Sequence, residues 1–156
     1  MFALFRVGFS VAFIVSLSLP FLTIAGSVPA LAQKAFQRDE LSDAAIKLEA
    51  QIKAESGSIT RNAATLRRDA EAAFGRNDFR NGLQLLGQLV VLSPADGANW
   101  LRLAKSVLQI RPGNDRERTT LLERSATAAY IAYQRSSTPA EEAESLQIVS
   151  RSYADR

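Results

Sequence analysis

The sequence predicts an all-α fold of antiparallel helix pairs, and three observations carry that prediction. From Gln33 onward, alanine, leucine, glutamate, arginine and glutamine dominate, all of them good helix formers. No segment sustains the alternation of β-branched and polar residues that marks a strand. Apolar residues instead recur at spacings of three and four, in blocks separated by short clusters of Gly, Pro, Ser, Asn and Asp.

Before those blocks lies a segment of different character. Met1 to Arg6 carries one basic side chain, Arg6, and Val7 to Leu31 carries no charge. The stretch ends in Val28-Pro29-Ala30-Leu31-Ala32 and then Gln33-Lys34. A basic start, an apolar middle and a small-x-small end form the layout of a secretory signal. Ala30 and Ala32 are the small residues a signal peptidase needs, so cleavage is expected between Ala32 and Gln33. An uncleaved anchor is the alternative, because the uncharged stretch is long enough to span a bilayer. Ser16, Ser18, Pro20, Thr23, Gly26, Ser27 and Pro29 make its second half a poor spanning helix, and both prolines interrupt helical hydrogen bonding. The expected organisation is a signal peptide at 1–32 and one helical domain at 33–156, periplasmic or secreted. Membrane contact is expected only through the signal.

Composition bounds the chemistry of the mature part. One of the 19 basic residues, Arg6, and none of the 16 acidic ones precede Gln33, leaving a net charge of +2. Basic and acidic residues alternate, so no purely basic face is offered to nucleic acid. The sequence has no cysteine, hence no disulfide and no thiolate, and an exported chain of this kind relies on its core. It has no histidine, the commonest general base and metal ligand. No carboxylate pair stands out as a catalytic dyad. The expectation is a non-enzymatic chain without a metal or cofactor.

The helices are expected in order. Leu41, Ala45, Leu48 and Ile52 form one stripe on a first helix over about 39–54, with Gly57 as a left-handed cap. Leu66, Ala70, Ala73 and Phe74 share a face over about 61–74, before a tight turn at 75–78. Phe79, Leu83, Leu86, Leu89 and Val90 define a third helix over 79–92, stopped at Ser93 because a residue preceding proline is pushed out of helical geometry. Trp100, Leu103, Ala104 and Val107 face inward on a fourth, over about 97–110. Leu121, Leu122, Ala126, Ala129, Tyr130 and Tyr133 mark a fifth, over about 116–134. Thr138 reads as the N-cap of a sixth, with Pro139 at the first helical position and Glu141 completing a capping box.

These blocks have a period. With Ala63 as a repeat start, Ala70 takes a small position, Asp78-Phe79 the turn, Gly82 the next small position and Pro94 the end. The next start is Gly97, 34 residues on. That is the tetratricopeptide period and pattern, whose small residues let paired helices approach closely. The pattern weakens after Arg111. Leu146, Ile148, Val149 and Tyr153 are expected to lack a covering partner, as in the front part of a longer protein or one completed by another chain. Alternatively, the last helix caps the preceding pair.

Two strings, KAFQRDELSDAAIKLEAQIKAESG (34–57) and WLRLAKSVLQIRPGNDRERTTLLERSATAAYIAYQRS (100–136), resemble the amino-terminal region of bacterial α2-macroglobulin family proteins. The resemblance implies a large exported protease inhibitor that traps proteases cutting a bait segment, with this chain as its helical leader. It carries over no functional residue: the family's thioester needs a Cys, which is absent, and no bait segment is identifiable. Its implied partners are the remainder of the same polypeptide and, through the full-length protein, a protease. The alternative is a free-standing tetratricopeptide-type scaffold for protein–protein interaction in the cell envelope.

In the repeat register, a partner groove on the first helices would use Arg67, Glu71, Phe74, Leu101, Lys105 and Leu108, the two leucines beside cations suiting a peptide. The other reading packs both leucines on neighbouring helices and leaves the charges solvated. Arg67-Arg68 and Arg116-Glu117-Arg118 could touch phosphates, or pair with Asp69, Glu71, Asp115 and Glu123. Trp100, Tyr130 and Tyr133 could stack on a ligand or fill the core. Amino-terminal sequencing of the exported product is expected to start at Gln33; a product starting at Met1 would establish the anchor instead.

Overall fold

The computed structural model describes residues 38–155, so the expected cleavage site at Ala30, Ala32 and Gln33 lies outside the described residues. Six helices make up this part: α1 (Arg38–Ser56), α2 (Ala63–Gly75), α3 (Phe79–Leu92), α4 (Gly97–Val107), α5 (Asp115–Gln134) and α6 (Pro139–Ala154). No strand occurs among the described residues, and no helix there is long and apolar enough to cross a membrane.

Short polar side chains set where the helices begin. Asn62, Asp78, Asp96, Asn114 and Thr138 each accept a hydrogen bond from a backbone N–H of the first turn they precede. Such caps satisfy donors that have no partner inside the helix, each contributing about 1 kcal/mol. The capping box expected at α6 is shifted. Thr138 Oγ1 accepts from Glu141 N at 3.2 Å, but the Glu141 carboxylate accepts from Ser137 N at 3.0 Å rather than from the cap residue itself.

The ends follow from backbone geometry. Gly57 takes φ +57°, the expected left-handed cap of α1. After α2 the left-handed residue is Asn77, at φ 59°, with Asp78 N bonded to Ala73 O and Asn77 N to Phe74 O. Asn tolerates that conformation better than other side chains, because its short amide bonds locally. α4 stops at Val107, short of the expected Ile110. Gln109 and Ile110 instead form i→i+3 turns onto Ser106 and Val107, and Pro112 then bars Arg111 from helical geometry.

The pairs α2–α3 and α4–α5 pack within and against one another through α3 and α4, and α6 lies on α5 and α4. The starts of α2 and α4, Ala63 and Gly97, fall on the predicted period. α1 departs from a simple succession of neighbours. It packs on α3 and α5, and its sequence neighbour α2 is not among its partners. Its stripe, Leu41, Ala45, Leu48 and Ile52, is buried in the seam between those helices. Each leucine or isoleucine in it contributes about 2 kcal/mol of apolar burial.

α5 has neighbours on three sides: α1, α4 and α6. Every residue from Ser125 to Ala132 is buried, which a one-stripe reading of the sequence could not reveal. The last helix is also covered. Ile148 and Val149 are buried in the core, so the expectation that they lack a partner is corrected; Leu146 and Tyr153 are half-buried. α6 caps the α4–α5 pair.

Two glycines permit close approach. A Cβ at Gly97 would meet Arg135 O at 2.5 Å and Ala132 O at 3.0 Å, and one at Gly82 would meet the Phe74 ring at 2.6 Å. Backbone cannot yield at Gly97 as a ring can at Gly82. Gly97→Ala is therefore expected to destabilise by about 1–3 kcal/mol. Gly75→Ala, where a Cβ meets nothing within 4 Å, is expected to stabilise by about 0.5–1 kcal/mol by restricting the unfolded chain. Urea unfolding of both variants checks this pair; equal midpoints would contradict the proposed α4–α5 approach.

Candidate interaction surface

The six residues expected to form a partner groove do not form an open apolar channel. Leu101 is 5% exposed and lies in the core, and Leu108 is half-buried against that core. α4 packs on α3, α5 and α6. Phe74 is half-buried, its ring folded over Gly82 and 6.2 Å from that of Phe79.

The charged members remain on the surface, where they join helices to one another. Arg67 Nη2 on α2 donates to Asn99 Oδ1 on α4 at 3.3 Å and lies 3.9 Å from Asp96. Asn99 is 2% exposed and donates through Nδ2 to Asp96 Oδ2 at 2.8 Å, so both ends of its amide are satisfied. Glu71 on α2 accepts from Arg102 on α4 at 2.9 Å. Lys105 on α4 pairs with Glu144 on α6. The result is a ladder of alternating charge across α2, α4 and α6. Exposed pairs of this kind are worth about 0–1 kcal/mol each and can re-pair with a partner at little cost.

Asp96, Asn99, Arg102 and Glu144 were missed in the sequence reading. The signal was present for two of them. Asn99 lies 32 positions after Arg67 and Arg102 lies 31 after Glu71, two or three residues short of one repeat.

Most of the other candidates have structural partners. Arg68 lies 3.5 Å from Asp69, its chain neighbour, and Arg118 Nη2 donates to Asp155 O at 3.1 Å. Glu117 Oε2 accepts from Gly113 N at 2.7 Å, closing the loop before α5. Trp100 and Tyr130 are core residues, 2% and 5% exposed, and Tyr133 is half-buried against the core. The Trp100 indole donates to Pro94 O at 3.0 Å, and the Tyr130 hydroxyl lies 3.1 Å from Ser42 Oγ on α1. Buried aromatic polar atoms are thus paired, as the core reading requires.

Arg135, a residue the sequence reading did not single out, ties the most elements together. It caps the end of α5 through its own N–H. One guanidinium nitrogen donates to Pro94 O at 2.7 Å, another to Glu49 Oε1 on α1 at 2.6 Å, and its Cζ sits 5.4 Å from the Trp100 ring centroid. A planar, five-donor group can hold three such partners at once, which a lysine could not.

A concavity of about 590 Å³ lies where α1, α3 and α5 meet the loop before α5. Phe79, Leu83, Ile110 and Leu121 line it half-exposed, with Arg80 and Arg124 set against Glu55 and Glu117. Its charges balance, so it selects neither acidic nor basic ligands. No group of three or more His, Cys, Asp or Glu suited to a metal occurs among the described residues.

Comparison with protein-family models, with curated proteins and with solved structures finds no match to this chain.

Arg135→Ala removes three contacts together and is expected to cost about 2–3 kcal/mol. Lys105→Ala on the exposed ladder is expected to cost under about 1 kcal/mol. Thermal unfolding of the two variants separates these cases; a larger loss at Lys105 would overturn the assignment of Arg135 as the structural tie.

Proposed function

We propose that this chain is the non-catalytic, tetratricopeptide-like leader domain of an exported, α2-macroglobulin-like protease trap, where it positions or docks the larger body. The observation that supports this reading most is spatial. The described part of the first string is α1 with its Gly57 cap, and the second runs from Trp100 in α4 through α5 to Ser136. They lie far apart in sequence, and they meet at Glu49, Arg135 and Trp100. A resemblance spread over two segments that pack together is what a shared domain would leave. The signal-like layout at 1–32 supports export to the periplasm or beyond.

On this reading the partner is the remainder of the same polypeptide, and a protease is engaged only through the full-length protein. Residues 33–156 alone supply no thioester cysteine and no bait, so they trap nothing themselves.

The charge ladder across α2, α4 and α6 supports a second reading, a free-standing scaffold that binds a protein partner in the envelope. Its exposed pairs would exchange partners with an oppositely patterned surface.

One assay separates the two. The product of the intact gene is incubated with a protease, then with a small chromogenic peptide and a large protein substrate. Trapping predicts continued peptide cleavage with loss of protein cleavage, and no such shielding by residues 33–156. Absence of shielding by the intact product, together with partner capture abolished by Arg67→Glu/Lys105→Glu, would establish the scaffold.

A further inference from the structure

We propose that α1 is an exchangeable arm, and that two copies of this chain can dock each other's α1 in the seam between α3 and α5. The proposal is independent of the trap reading. It starts from the topology: α1 touches α3 and α5 and is not packed on α2, the helix that follows it. Residues 57–62 connect the two, beginning at the left-handed Gly57, and all but the half-buried Ile59 are exposed. Extended, six residues reach about 20 Å. α1 can therefore leave its seam as a unit without disturbing the α2–α3 pair.

The seam recognises α1 by shape and by charge. Leu41, Ala45, Leu48 and Ile52 fill it, and Gly87 on α3 leaves room for Ile52, whose Cγ2 would lie 3.4 Å from a Cβ at that position. Two guanidiniums on α5 face two carboxylates on α1: Arg135 to Glu49 at 2.6 Å and Arg124 to Glu55 at 3.4 Å. Gln88 on α3 donates to Ser56 O at 3.4 Å. Each of these contacts lies between α1 and the seam, none between α1 and α2. A second copy offers an identical seam to an identical helix, so every contact is recovered on exchange; only the connector path differs. That is the condition under which domain swapping costs little.

The charge pairs allow a decisive test. One variant carries Arg124→Glu/Arg135→Glu, so its seam is acidic against its own acidic arm. The other carries Glu49→Arg/Glu55→Arg, so its arm is basic against its own basic seam. Each is mismatched alone and in any dimer with itself. In a mixed exchanged dimer both arms meet seams of opposite charge. Light scattering after size exclusion is expected to show a species of twice the single-chain mass in the equimolar mixture and not in either variant alone.

A second variant pair restricted to Arg124→Glu and Glu55→Arg leaves the Arg135 contacts to Pro94 and Trp100 intact. It is expected to give the same species in smaller yield. Single-chain mass in both mixtures, or loss of helicity in both that mixing does not restore, would overturn the proposal.

Discussion

The close approach of α4 to α5 is the constraint on which the rest of the structure depends. It is set by small groups. Gly97 lies where a Cβ would strike the carbonyl of Arg135, and Ser125 Oγ reaches across to donate to Ala104 O at 3.0 Å. Ala104, Ala128 and Ala129 are fully buried along the same region. Small side chains bury little area each, but they bring two backbones near enough for dense dispersion contact, which offsets part of that loss. The same approach brings the end of α5 beside the loop before α4. Arg135 can then hold Pro94 and Trp100, and extend to Glu49 on α1. A bulkier contact would separate these groups and leave the arginine with one partner instead of three.

From that centre the surfaces follow. α1 and α6 clad α5, so the long central helix has little face left for a ligand. Across α2, α4 and α6 the outward charges are mutually paired: Arg67 with Asp96, Glu71 with Arg102 and Lys105 with Glu144. A protein that meets this surface meets a preformed pattern of charge on a rigid frame, which favours specificity and orientation over raw affinity. This suits a positioning domain better than a pocket for a small molecule. The concavity between α1, α3 and α5 is open and balanced in charge.

Much of the fold was legible in the sequence because it was written in local signals. Thr138 marked one helix start, and Pro94 and Gly57 marked ends, whereas the caps Asn62, Asp78, Asp96 and Asn114 emerge only from the structure. The stripe Leu41, Ala45, Leu48, Ile52 was buried as its spacing indicated. What was not legible was the identity of the neighbour. Periodicity says which face is apolar, not which helix covers it, so the placement of α1 across α3 and α5 had no local sign. For the same reason α4 and α5 were given one buried face each, although both are covered on several sides. Leu101 could thus be read either as a groove residue or as packed on a neighbour, and it is core. The candidate surface fared likewise: its charges were found, but their partners depend on the tertiary register. Arg135 was invisible because its role comes from geometry alone.

Native-state hydrogen exchange tests the central claim most directly. If the α4–α5 contact holds the structure together, amides between Ala126 and Ala132 and between Leu103 and Val107 should be the slowest in the chain. They should exchange only through global unfolding, with an opening free energy equal to that from denaturant. Faster exchange there than in α2 or α3, through a local opening that denaturant does not promote, would contradict the account.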